Sequence, residues 1–128
     1  MSLETIKKGG DALDSILNTV KKLLGIDADD TSFDTDVIVN INSAILGLSQ
    51  MGIGPNNTFI LTSKDQKWSD YIGNSLVNLE SIKSYLYLKT KIIFDPPTNS
   101  TVIEAFNKSM QELEWRMMLA VETNNLEG

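Results

Sequence analysis

Chain breakers divide this sequence into a few short runs. Gly25, the cluster Met51-Gly52-Ile53-Gly54-Pro55-Asn56-Asn57-Thr58 and the Asp95-Pro96-Pro97 triplet are the main punctuation marks. Between them the apolar residues recur at intervals of three and four, the period of one helix face rather than the two-residue alternation of a strand. The spacing predicts helices over about 11–24, 35–51, 64–72, 75–94 and 101–121.

Each run carries its own signals. Leu13, Ile16, Leu17, Val20 and Leu24 line one side of the first, with Asp11 as its cap. Asp14, Asn18, Lys21 and Lys22 take the outer side, and Gly25 follows the C-terminus. The second has an apolar stripe of Val37, Ile38, Ile41, Ala44, Ile45 and Leu48. Ser63 with Gln66, and Thr101 with Glu104, fit the capping-box pattern of a helix start. The fourth has two stripes, Leu76, Leu79, Ile82, Leu86 and Ile93 beside Tyr85, Leu88 and Ile92. It is therefore expected at the centre of the fold. In the fifth, Ile103, Phe106, Met110, Leu113, Met117 and Ala120 form a packing seam. Phe59-Ile60-Leu61-Thr62 suits a short strand, or a loop that tucks apolar groups over the core. A lone strand cannot satisfy its own backbone, so no sheet is expected. The expectation is an all-α bundle of four main helices and one short helix around a Gly-rich central loop. One domain spans 11–121, with a flexible arm at 1–10 and a flexible tail at 122–128.

With 128 residues and 41% hydrophobic content the chain can bury a core without staples. It has neither Cys nor His, which excludes disulfides, thiol nucleophiles, His-based triads and Cys/His zinc sites. No Gly-rich phosphate cradle follows a strand, and no Lys is spaced to activate a Ser or Thr. Glu112 and Glu114 lie two apart on a helix and point to different faces. No enzymatic activity and no cofactor are expected. The net charge of −6 disfavours tight nonspecific DNA binding. Residues 26–62 hold five acids and no base. Asp27, Asp29 and Asp30 resemble a calcium loop only loosely, because Ser32 and Ile38 stand where an EF-hand needs Gly and Glu. These acids suit the start of the second helix, where its dipole favours negative charge. The N-terminus shows no apolar signal core, and no run is long enough to cross a bilayer.

Two surfaces are candidates for protein contact. One is the small polar face of the second helix, including Asn40, Ser43 and Gly47, continued by the loop glycines Gly52 and Gly54. The other is the Trp/Met side of the fifth helix, Trp115 and Met118, which lie off its seam; Trp68, on the short third helix after a loop, is a further candidate, although both tryptophans also suit partial burial against the core.

Taken in order, several blocks resemble the small head–tail connector, or adaptor, proteins of tailed double-stranded-DNA phages and prophages. They are Asp34-Thr35-Asp36 running into Ile41-Asn42-Ser43-Ala44, Gly52-Ile53-Gly54-Pro55, Trp68-Ser69-Asp70, Tyr85-Leu86-Tyr87-Leu88-Lys89, Phe94-Asp95-Pro96-Pro97-Thr98 and Glu112-Leu113-Glu114-Trp115-Arg116. The resemblance covers about residues 11–119. It implies a virion-assembly protein without catalytic residues, at the head–tail junction and, during assembly, in the host cytoplasm. It also implies a ring of about a dozen copies beneath the portal, which extends the DNA channel and docks a stopper or tail-completion protein. DNA would only pass through, and Asp27, Asp29 and Asp30 are candidates to face that channel and repel it. The alternative is a soluble helical module that binds or regulates a partner protein through an apolar groove, without enzymatic activity.

Overall fold

The computed structural model describes residues 12–55, 59–73 and 79–127. Among them are five helices: α1 (Ile16–Leu24), α2 (Asp34–Gln50), α3 (Trp68–Ile72), α4 (Leu79–Phe94) and α5 (Ser100–Glu127). The fold is an all-α bundle. As its two stripes predict, α4 is central and packs against α2, α5 and α1. One core joins Ile16, Leu17 and Val20 of α1 with Val37, Ile41 and Leu48 of α2, Ile82 and Leu86 of α4, and Met110 and Met117 of α5. Leu61 from the loop and Trp68 from α3 complete it.

The first helix is shorter than its pattern. It begins at Ile16, where the Ser15 hydroxyl accepts from the Asn18 N–H at 3.1 Å. The proposed cap Asp11 lies outside the described residues. The preceding segment is drawn into backbone pairing instead. Ile16 N–H donates to Gln66 O, Trp68 N–H to Asp14 O and Ser69 N–H to Ala12 O, around an antiparallel bridge between Ser15 and Lys67. Leu13 is consequently exposed rather than in the core stripe. At the other end Gly25 adopts φ +83°, with Gly25 N–H on Lys22 O and Ile26 N–H on Lys21 O. This is a Schellman closure, and only glycine enters that conformation without strain.

Lys21 is the main departure in α1. Expected on the outer side, it is 1% exposed. Its Nζ lies 2.7 Å from Asp34 Oδ1 and donates to Ala28 O at 3.2 Å. The side chain runs its aliphatic stem through the core and spends its charge where the α1–α2 loop meets α2. Asp34 and Asp36 do occupy the first turn of α2, whereas Asp27, Asp29 and Asp30 are exposed in the loop before it.

The third helix starts at Trp68, not at 64. Residues 64 and 65 form a turn, and Gln66 Oε1 takes the Ser63 N–H and the Thr62 N–H. The working N-terminal contact is Lys67 N–H on Asp70 Oδ2 at 2.8 Å. In α4, Ile93 is exposed because the helix end overhangs the core, while the start expected at 75, with Leu76, falls outside the described residues. For α5 the cap is Asn99, whose Oδ1 accepts from Thr101 N–H at 2.7 Å, rather than a Thr101–Glu104 box. The helix does not stop at 121 but runs through Glu127, since no Gly or Pro interrupts 122–127.

Candidate assembly surfaces

The α2–α3 connection builds the most distinctive surface. No strand forms over 59–62; side chains satisfy the backbone there. Asn42 of α2 donates its Nδ2 to Leu61 O at 2.9 Å and accepts the Leu61 N–H on Oδ1 at 2.8 Å, doing for one residue what a strand neighbour would do. Gln66 Nε2 donates to Ile60 O at 2.9 Å. Leu61 is thereby pinned into the core while Ile60, 59% exposed, turns outward. We expect Asn42→Ala to lower stability by about 2 kcal/mol, because both Leu61 backbone groups lose their partner in a partly buried site. Urea unfolding checks this, and a loss below about 0.5 kcal/mol would refute it.

Beside this clamp lies an apolar groove of about 240 Å³, lined by Ile45, Leu46, Ile53, Phe59, Ile60 and Tyr71 among others. The Phe59 and Tyr71 rings pack at 5.0 Å. Tyr71 is 3% exposed and its hydroxyl has no hydrogen-bond partner. A Cβ on Gly54 would stand 3.2 Å from that hydroxyl, and Gly54 has φ +101°, so the glycine is what lets the turn close over the ring.

Burial pushes the Tyr71 hydroxyl up to about 12. A tyrosine in the unfolded chain ionises near 10. Below about pH 10 both states keep the proton and the contribution is fully present. Above it the unfolded state ionises first, so stability falls until about pH 12. We expect Tyr71 to account for a loss of about 2–3 kcal/mol across that window, measurable as a drop in urea midpoint. Tyr71→Phe should remove that part of the slope. Tyr85 acts in the same direction. Burial, then the hydrogen bond and charge of Glu114, raise it well above the ordinary range.

The second surface is on α5. Tyr85 Oη donates to Glu114 Oε2 at 2.7 Å and, with Met110 and Met117 buried, holds the helix to α4. Glu112 faces away and pairs with Arg116 at 3.3 Å. Residues two apart on a helix point about 200° from one another. With Met117 fully buried, Trp115 therefore projects outward, 64% exposed, and Met118 and Leu119 are exposed next to it.

The other candidates separate. Ser43, Gly52 and Gly54 are exposed, and Asn40 and Gly47 are half-buried, with Asn40 Nδ2 donating to Asp36 O. Val39 and Leu46 on α2 are exposed apolar residues that the polar-stripe reading passed over. Trp68 is corrected. It is 0% exposed and its Nε1 donates to Thr19 Oγ1 at 3.2 Å, so it belongs to the core and offers no surface to a partner. Its place is set by the Ser15–Lys67 pairing, which aims the first turn of α3 inward. Asp27, Asp29 and Asp30 share one exposed loop. The Ser32 backbone N–H, then its side chain, hold the Asp30 carboxyl below its usual value. Among the described residues no three acidic side chains gather in a metal-holding group, and no helix is long and apolar enough to cross a membrane.

Comparison with known proteins assigns the fold to a family. The model of the family described as "Phage connector protein" matches residues 16–124. The chain belongs to the phage connector family. No curated protein and no solved structure matches it. The match starts at the first residue of α1 and ends three residues before the end of α5, so it takes in four helices of this connector whole and nearly all of the fifth. Membership makes the chain a structural phage protein, a connector of the virion's head–tail junction.

Proposed function

We propose that this connector forms a ring beneath the portal, extends the DNA channel, and presents a docking surface for the next stopper or tail-completion protein. The family match over 16–124 carries this reading. The geometry supports it in two respects. Apolar surface is left open on two different elements, the α2–α3 groove and the α5 face, as a head-to-tail ring requires. The exposed acids Asp27, Asp29 and Asp30, in a stretch without a base, suit a channel wall that repels DNA and lets it slide. Asn40, Ser43, Gly47, Gly52 and Gly54 are proposed to lie at or near the subunit contact. The chain acts in the host cytoplasm during assembly and has no enzymatic step in this role.

Light scattering across a concentration series, alone and with the portal protein encoded beside this chain, tests the reading. A ring-sized species, or co-migration at one ring per portal, supports it. A monomer that ignores the portal overturns it. A 1:1 complex with a helix-bearing protein would instead favour a groove-binding module, which the apolar α2–α3 groove also suits.

A further inference from the structure

We infer that Lys21 sets the acidic α1–α2 loop from beneath, so that Asp27, Asp29 and Asp30 form a fixed negative surface. The setting of the loop belongs to the single chain. Its use in a channel wall deepens the ring reading and rests on it. Asp27, Asp29, Asp30, Asp34 and Asp36 are crowded together, and residues 26–62 supply no base. Such a run repels itself, and an unconstrained loop relieves the repulsion by opening. The compensating charge comes from α1. Lys21 is 1% exposed. Its Nζ donates to Ala28 O at 3.2 Å, in the middle of the loop, and lies 2.7 Å from Asp34 Oδ1 at its end.

These two contacts fasten the loop where its path is decided. The Ala28 carbonyl turns inward to the ammonium, and the neighbouring Asp27, Asp29 and Asp30 are exposed. Local turns complete the shape: Asp30 N–H donates to Asp27 O, Asp34 N–H to Thr31 O, and Ser32 N–H to the Asp30 carboxylate. The depth of the cation matters. Lys22, the next residue, is exposed, and solvent and salt screen a charge there. A buried ammonium acts at short range through a medium of lower dielectric and is screened much less. Its reach shows at Asp30. That carboxyl is held below its usual value by the Ser32 backbone N–H, then by the Ser32 side chain, with the Lys21 charge adding to both.

The test is NMR on the isotope-labelled full chain. Lys21→Met, which keeps the apolar stem, is compared with Lys22→Met, which removes the same charge from the exposed neighbour. The readouts are backbone order parameters in the folded molecule and the titration midpoint of the Asp30 carboxyl. Loss of global stability alone moves neither. In Lys21→Met the order parameters of residues 27–32 should fall from about 0.85, the rigid value, to below about 0.6. The Asp30 midpoint should rise toward the ordinary aspartate value. Lys22→Met should leave the order parameters unchanged and move the midpoint less. A loop as rigid as in wild type with Asp30 unmoved, or equal effects from the two variants, overturns the inference. If Lys21→Met does not fold, wild type decides. The Lys21 ammonium protons should exchange slowly enough to be seen at mildly acidic pH, and those of Lys22 should not; no Lys21 signal overturns the inference. Failure here removes the device while co-migration with the portal still supports the ring. A chain that ignores the portal removes the channel use alone.

Discussion

Trp68→Ala will destabilise the fold by about 4 kcal/mol, whereas Trp115→Ala will change stability by less than about 0.5 kcal/mol. The two tryptophans of this chain occupy opposite environments. Trp68 is fully buried, its indole N–H is bonded to Thr19, and it stands where α3 meets α1. Truncation removes the largest fully buried side chain in the fold, leaves a cavity, and frees the Thr19 hydroxyl, although Thr19 keeps its 2.7 Å bond to Ser15 O. Trp115 is 64% exposed and loses little contact within its own chain when truncated. Urea unfolding of both variants checks the contrast. A Trp68→Ala midpoint close to wild type would mean that α3 packs elsewhere. A Trp115→Ala loss comparable with that of Trp68 would place Trp115 in the core.

Lys21→Met will cost about 2–4 kcal/mol. Methionine keeps the apolar stem in place, so the loss isolates the ammonium. Without it, Asp34 has no opposite charge at 2.7 Å and the Ala28 carbonyl loses its donor. Removing one member of a fully buried pair costs about 3–5 kcal/mol, and the partial exposure of Asp34 softens the figure. The double variant Lys21→Met/Asp34→Asn should recover part of the loss, because the carboxylate stranded by the first change is then neutral. Single and double variants with equal midpoints would show that the two charges are not coupled.

These side chains also show where the sequence stops being legible. The stripes of α2, α4 and α5 were readable because burial along a helix follows its period. Ile41, Leu48, Leu86 and Met117 all lie where the three-and-four spacing places them. Lys21 was not readable. A charged residue next to Lys22 in a last turn looks like a dipole partner, and only the return of the chain at Asp34 makes a buried position tolerable. Trp68 and Trp115 both sit off an obvious stripe, and what separates them is the pairing of 12–16 with 66–69, a contact across some fifty residues that no local pattern encodes. The groove was hidden for the same reason. Its walls come from a helix, a loop and a second helix, and the signal for it was Asn42, an amide placed among apolar residues opposite Leu61. The family resemblance needed only the order of blocks along the chain, so it was visible before any of these contacts.

The Ser15–Lys67 bridge has a consequence for how the groove is built. α3 is five residues long, too short to persist as an isolated helix. Its first turn is held by backbone bonds from Ala12 and Asp14, which reach it only after a loop of more than fifty residues has closed. α2, α4 and α5 carry long local stripes, so α3 is the helix that relies most on distant contacts. Tyr71 is on α3, and so this wall of the groove depends on that long-range closure. The shape of the groove is therefore set by a contact between distant parts of the chain and not by either helix alone.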